Sequence, residues 1–427
     1  MVELRHAFSS LSASRRARIS WCLFDWANSG FPAVIVTFVF SAYYAQAVAE
    51  NTTVGTVDWA RAMALSGVAI AVLSPIFGAI ADRAGRRKPW LAAFSALCVI
   101  ATALLWFTRP EPSFALWALV VFALANTAFE ITMVFYNAML PGIAPNNAIG
   151  RLSGWGWALG YLGGLVCLAI ALFVFVQPTT APFGLDRDAA EHIRIVAPLA
   201  AIWFAIFALP LFLFTPDAPS TGIAPARAVR DGLANLVATL RRIRPHHNIA
   251  RFLIARLVYI DGLNTMFAFG GIYAAGTFGM TISEIIMFGI ALNVTAGFGA
   301  FAFAWVDDWI GPKRTILIAL LGLIAFGVPL LLVDTKAGFW ALALPLGVFM
   351  GPAQAASRSL MARLTPMDTH AEMFGLFALS GKVTAFLGPA ILAWATLEFN
   401  SQRAGMATVI AFLVVGFLLM LRVKETE

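Results

Sequence analysis

Twelve times along this chain an apolar stretch of about 20–28 residues ends in a short polar break, and that length spans the hydrocarbon layer of a bilayer as a helix. The stretches run approximately over 19–48, 58–81, 89–108, 113–139, 150–176 and 194–215, then over 255–279, 283–306, 313–333, 337–361, 371–397 and 403–422. Inside a bilayer each backbone N–H and C=O must be bonded within its own segment, so the stretches are read as helices and the chain as an all-α polytopic membrane protein. Composition agrees, with 60% hydrophobic and 12% charged residues, more apolar surface than a water-soluble chain of 427 residues can bury. Arg15-Arg16 ahead of an apolar run, with Ala45-Gln46-Ala47 after it, imitates a cleaved leader. The run is too long for a leader core and is interrupted by Asp25 and Asn28, so it is read as a retained first helix.

Positive charge sets the orientation. Alternate loops, beginning with the N-terminal one, carry 21 Lys and Arg residues, Arg358 among them, against 6 on the opposite side. Both termini are therefore expected in the cytoplasm, and the net charge of +7 is topological rather than a sign of nucleic-acid binding. The longest polar interval, 216–254, holds an amphipathic segment near 227–243 expected to lie along the inner membrane surface. It divides the chain into an N-terminal segment 1–18, a six-helix bundle 19–215, the linker, a second bundle 255–422 and a tail 423–427. Cys22, Cys98 and Cys167 lie in apolar spans at no metal-ligand spacing, and His246-His247 reads as a solvated loop. No metal and no cofactor is expected. No ATP-binding loop or catalytic nucleophile arrangement is present, which argues against an enzyme or a pump.

The two bundles repeat one another. Asp25-Trp26-Ala27-Asn28 in the first span matches Asp261-Gly262-Leu263-Asn264 in the seventh, and Asp and Asn at i, i+3 share one helix face. A carboxylate inside a lipid-spanning helix costs about 2.5–3.5 kcal/mol even on mild insertion scales, so it usually faces a partner or a water-filled path. Gly78 to Lys88 closes span two and Asp308 to Arg314 closes span eight in matching register. Two six-helix halves related by an axis along the membrane normal follow, with a solute site near the midplane between them.

The loop Gly78-xxx-Asp82-xx-Gly85-Arg86-Arg87-Lys88 resembles the signature loop of the major facilitator superfamily. Trp21-Cys22-Leu23-Phe24-Asp25-Trp26-Ala27-Asn28-Ser29 resembles the first-helix signature of its vacuolar amino-acid effluxer (autophagy-related) branch. Tyr259 to Asn264 is similar to that branch's seventh-helix pattern, Gln354-Ala355-Ala356-Ser357-Arg358-Ser359 to its tenth, and Gly375 to Lys382 through Gly388-Pro389 to its eleventh. The resemblance covers essentially the whole chain. It implies the twelve-helix major facilitator fold with spans one, four, seven and ten lining a cavity. It also implies alternating-access transport of a small polar solute such as an amino acid, since yeast-type members are associated with amino-acid export from the vacuole. The compact chain suits a bacterial inner membrane, as a monomer among lipids, with the solute and protons as its partners.

On this reading Asp25, Asn28, Asp261, Asn264 and Gln354 belong to the solute or proton pathway. Asn126, Glu130 and Asn137 share a stripe of span four, which the resemblance sets opposite the Asp25 helix, where two acids could share protons. Structural polar contacts to neighbouring helices are the competing reading for each acid. Lys382 sits about three turns into span eleven, too deep for comfortable snorkelling, and must pair with a carboxylate or an anionic solute or lose its proton; Asp261 in the same half is the natural partner, and a static ion pair that only holds helices together is the competing reading. Arg256 is read as a snorkelling anchor, since i, i+5 spacing puts it on a different face from Asp261. Gly78, Asp82, Gly85, Arg86, Arg87, Asp308 and Arg314 form the gating set. Asp82 is expected to cap span eleven and pair with an arginine such as Arg86, and Asp308 to cap span five. Gly156, Gly160 and Gly164 form a ridge expected to pack across the interface between halves. Export of metal ions such as iron, drugs or other cations, and a non-transporting sensor or scaffold, stay open as alternatives.

Overall fold

The computed structural model describes residues 14–178, 180, 182–223, 227–234, 247–366 and 369–425. The first half contains α1 (Arg15–Asn28), α2 (Thr52–Ala84), α3 (Lys88–Leu104), α4 (Ala115–Ile143), α5 (Ile149–Ile170) and α6 (Val196–Phe214). The second contains α7 (His247–Phe278), α8 (Ile282–Ile310), α9 (Pro312–Leu330), α10 (Lys336–Leu364), α11 (His370–Ser380), α12 (Leu387–Glu398) and α13 (Gln402–Leu421). Among the described residues, eleven helical segments are long and apolar enough to cross a membrane. The expected span 371–397 is not one continuous helix: α11 and α12 share it, and α13 is the twelfth span.

Helices outrun the apolar stretches where polar caps hold their ends. Asn51 accepts the Val54 N–H ahead of α2, six residues before the apolar stretch starts, and Thr281 with Glu284 closes a capping box on α8. Beyond α1 the first span continues in wider turns, Phe31–Phe38 and Tyr44–Val48, with Val39 N bonded to Val34 O. Pro32 at the start of that stretch has no N–H to give to an i−4 partner, which favours the wider winding. In span eleven, Pro389 likewise breaks the ladder. The chain from Gly381 to Phe386 winds in tight turns, such as Leu387 N to Thr384 O at 2.7 Å, before α12 resumes.

The halves meet along α2 with α11 and α5 with α8, supported by α10 against α5 and α4 against α11. These seams are nearly backbone to backbone. A Cβ on Gly78 would lie 2.7 Å from the Ala371 carbonyl carbon, one on Gly375 2.5 Å from Ser74 O, and one on Gly154 2.6 Å from Ala300 O. The Gly156, Gly160 and Gly164 ridge does not mainly serve this interface. Gly160 and Gly164 pack on Ser29, which caps the end of α1 in the same half, and of the three only Gly156 also touches Arg358. Gly85 and Gly311 end α2 and α8 with φ of +87° and +92°, the repeat expressed in backbone terms.

The linker folds back under the first half. Asp217 accepts the Arg87 and Lys88 N–H groups at 2.9 and 3.2 Å, capping α3. Residues 227–234 are helical, with Ala228 buried and Gly232 against Ile80 of α2. The remainder of the amphipathic segment, from 235, lies outside the described residues.

Candidate functional site

Between the halves lies a cavity of about 1080 Å³. Its wall reaches from Asp25 and Arg358 near the terminus-bearing face to Phe38, Tyr273 and Leu331 toward the other. Among the described residues, the hydrogen bonds and ion pairs that join the halves lie at mid-depth or on the terminus-bearing side. The cavity is therefore closed toward the termini and open away from them.

The closure is centred on Arg358. An aromatic clasp positions its acid: Trp21 and Tyr136 stack at 4.4 Å and trade hydrogen bonds, each side chain donating to the other's carbonyl. One turn on, Asp25 Oδ2 meets Arg358 at 2.9 Å, with side-chain exposures of 8% and 2%. The guanidinium also donates to Ser153 Oγ (2.9 Å), Ser153 O (2.6 Å) and Asn137 Oδ1 (3.4 Å), and lies over Trp21 with its carbon 4.9 Å from the ring centre. Gly156 makes room, since a Cβ there would stand 2.8 Å from Arg358 Nη2. Such a desolvated pair holds because both partners are present; removing one costs about 3–5 kcal/mol. Arg358 is thus no loop cation. α10 runs to Leu364, so Arg358 sits almost two turns inside a helix and faces the other half.

The second charged pair lies on the cavity wall. Lys382, in the break between α11 and α12, meets Glu130 of α4 at 2.7 Å, with exposures of 28% and 20%. The partner expected for Lys382 was Asp261, and the structure replaces it. Asp261 instead accepts the Gly388 N–H at 3.1 Å, capping the restarted helix α12, and it is the one predicted pathway residue absent from the cavity lining. Pairing by sequence half failed because α11 faces α4 across the interface.

Arg256 does not snorkel. Its guanidinium lies 3.5 Å from the centre of the Phe377 ring and donates to Phe377 O (2.7 Å) and Ser380 Oγ (2.6 Å), at the C-terminal end of α11 where a cation is favoured. It lines the cavity. The amides divide: Asn28 donates to Asp25 (3.4 Å), Asn126 to Ser66 of α2 (2.8 Å), Gln354 to Tyr161 across the halves (3.2 Å), and Asn264 is exposed on the cavity wall. Tyr161 and Ser153, missed in the sequence, carry no signal there beyond lying on the glycine-rich α5.

Two further carboxylates tie the halves at the terminus-bearing face. Asp82 accepts from the second and third residues of α11, Ala371 N (3.0 Å) and Glu372 N (2.8 Å). Asp308 accepts from the second and third residues of α5, Gly150 N (2.8 Å) and Arg151 N (3.1 Å). Arg87 rather than Arg86 pairs with Asp82, at 3.4 Å, while Arg86 and Arg314 are exposed. Asp308 also binds Arg151 (2.8 Å) and Arg363 (3.1 Å), and Asp307 beside it accepts from Ser359.

A family model described as vacuole effluxer Atg22 like matches residues 60–427. The chain is 28% identical over 412 residues to the uncharacterised MFS-type transporter YxiO of Bacillus subtilis (strain 168), covering 95% of this chain and 94% of that one. Autophagy-related protein 22-1 of Emericella nidulans is 26% identical over 285 residues, 59% of this chain and 46% of that one, so the chain spans about half the length of this fungal relative. Among solved structures, the transporter FucP in its outward conformation superposes with a TM-score of 0.73 at 15% identity, over 96% of this chain and 99% of that one. A bacterial homologue of the iron transporter ferroportin in an outward-facing state gives 0.69 at 12% identity, over 95% and 98%. At these identities the structures speak to the fold.

Proposed function

The chain belongs to the Atg22-like vacuole effluxer family of the major facilitator superfamily, as a bacterial-type member, and on that premise we propose that it couples protons to the movement of amino acids. It is a multi-pass membrane protein with the fold and relatives of secondary transporters. The cargo and the coupling ion are our reading, and so is a bacterial inner membrane with cytoplasmic termini, which rests on the excess of Lys and Arg in the terminus-side loops. In this orientation the cavity faces outward.

The Glu130–Lys382 pair carries the reading. It stands open on the cavity wall, one charge from each half. A zwitterion offers replacements for both partners, its ammonium for Lys382 and its carboxylate for Glu130, so the pair can part without leaving either charge bare. A proton on Glu130 would release Lys382 to the carboxylate of the solute, which then supplies the missing negative charge and ties proton and solute to one event. Rocking of the halves then exchanges the α2–α11 and α5–α8 seams for contacts on the other face. Cation export is less favoured, because the cavity's acids are already engaged, Asp25 by Arg358 and Glu130 by Lys382.

The test is uptake of the twenty labelled amino acids into proteoliposomes with pH gradients imposed in either direction. At least one should accumulate against its own gradient and leak out when a protonophore is added. A panel that never accumulates, with protein shown to be folded and inserted, defeats the proposal.

A further inference from the structure

Five charged residues line the cavity: Asp25, Glu130, Arg256, Arg358 and Lys382. Four of them close two pairs, Asp25 with Arg358 and Glu130 with Lys382. Arg256 is left over. Among the described residues its direct partners are a carbonyl, a hydroxyl and a phenyl ring; the acid whose charge reaches it, Glu130, makes its ion pair with Lys382 instead. A guanidinium in a membrane-embedded wall, whose nearby acid is committed to another cation, calls for an anion.

The surroundings fit one. Arg256 holds the last turn of α11, and Lys382 follows directly in the break of span eleven. Gly381 lies between them, and a Cβ there would stand 3.3 Å from Arg256 Nη1, so the glycine leaves the approach open. With Nη1 committed to Phe377 O and Ser380 Oγ and Nε buried, Nη2 is the donor left for a carboxylate oxygen, and its charge-assisted hydrogen bond is stronger than a neutral one.

We propose that Arg256 is the anchor for a carboxylate group of the transported solute, with Lys382 flanking it once Glu130 lets go. The inference rests on the amino-acid reading for the identity of the cargo, while the anchor itself requires only a carboxylate. Arg256 stays charged whatever becomes of the Glu130–Lys382 pair, so it holds the solute while that pair exchanges partners.

The experiment compares binding of each amino acid with binding of its own C-terminal carboxamide, using full-length protein in lipid nanodiscs. In the wild type, at least one amino acid should bind about tenfold or more tightly than its amide. In Arg256→Gln that preference should shrink to about twofold, and in Arg256→Lys to an intermediate value. A purely structural arginine would weaken acid and amide alike and leave the ratio in place. Thermal unfolding without ligand identifies a variant that does not fold, in which case Arg256→Lys decides. An unchanged ratio in a folded variant, or no preference in the wild type, overturns the anchor. Should no amino acid bind, acetate, propionate and benzoate are the probes. Binding of one of them that depends on Arg256 keeps the anchor and removes the amino-acid cargo; no binding of any overturns the anchor as well.

Discussion

Asp25 and Arg358 are 333 residues apart in sequence and 2.9 Å apart in the structure, joining α1 to α10 across the division between the halves. Both sit at the inner end of the cavity wall, and each side chain is nearly fully buried. If the halves rock as proposed, opening the terminus-bearing face draws α10 away from α1 and α5 and parts the pair. On that reading it stabilises one state and not the other, which is what a lock requires.

Replacing Asp25 with Asn removes the charge, keeps the shape and leaves Arg358 buried and unpaired. The closed face should lose about 3–5 kcal/mol, enough to shift the equilibrium toward the opposite state by about two to four orders of magnitude. Spin labels at the exposed Arg86 and Arg314, one on each half, report the separation. Their distance distribution should lengthen in Asp25→Asn and partly return in Asp25→Asn/Arg358→Gln, where no bare charge remains. A distribution identical to wild type in the single variant would remove the lock.

Much of this was legible in the sequence, and the misread charges share one cause. Asp82 and Asp308 could be read because each acts on the end of a helix and the repeat marks both. Arg358 could not, because an arginine near the expected end of span ten looks like any loop cation; burial became visible only when α10 ran on to Leu364 against the other half. Lys382 was matched to the wrong acid for the same reason, because sequence order says nothing about which helices face across the interface. The break in span eleven escaped as well, since a hydropathy window averages over the stretch from Gly381 to Phe386, where the backbone changes course.

The α2–α11 seam has no room for a side chain at Gly78. A Cβ there would press on the backbone of Ala371, which cannot rotate aside as a side chain could. Gly78→Ala should hold the terminus-bearing face open, lengthening the Arg86 to Arg314 distance and stopping uptake from the other side while protein yield persists. Asp82→Asn keeps an acceptor for α11 but loses the charge, so its cost should be smaller, about 0.5–2 kcal/mol. Equal effects of the two substitutions would contradict this account of the seam.

Glu130→Gln leaves Lys382 without its carboxylate and takes away the group proposed to carry the proton. Accumulation driven by a pH gradient should disappear. Exchange of labelled for unlabelled solute across proteoliposomes should continue, because the halves can still rock with solute bound. Loss of exchange together with accumulation would place Glu130 in solute binding alone, and retention of both would remove it from the coupling.

Asp261 offers the sharpest contrast between a pathway residue and a structural one. One of its oxygens caps α12 through Gly388, while the other is buried with no hydrogen-bond partner among the described residues. Asparagine can supply the single acceptor that this cap uses, whereas alanine cannot. Asp261→Ala should cost about 1–2 kcal/mol and raise hydrogen exchange at the Gly388 amide, since that N–H loses its acceptor at the start of a helix. Asp261→Asn should leave the amide protected and gradient-driven transport within about twofold of wild type. If the asparagine variant instead loses its response to the pH gradient while Gly388 stays protected, Asp261 titrates during the cycle, and the break in span eleven becomes part of the proton route rather than only its scaffold.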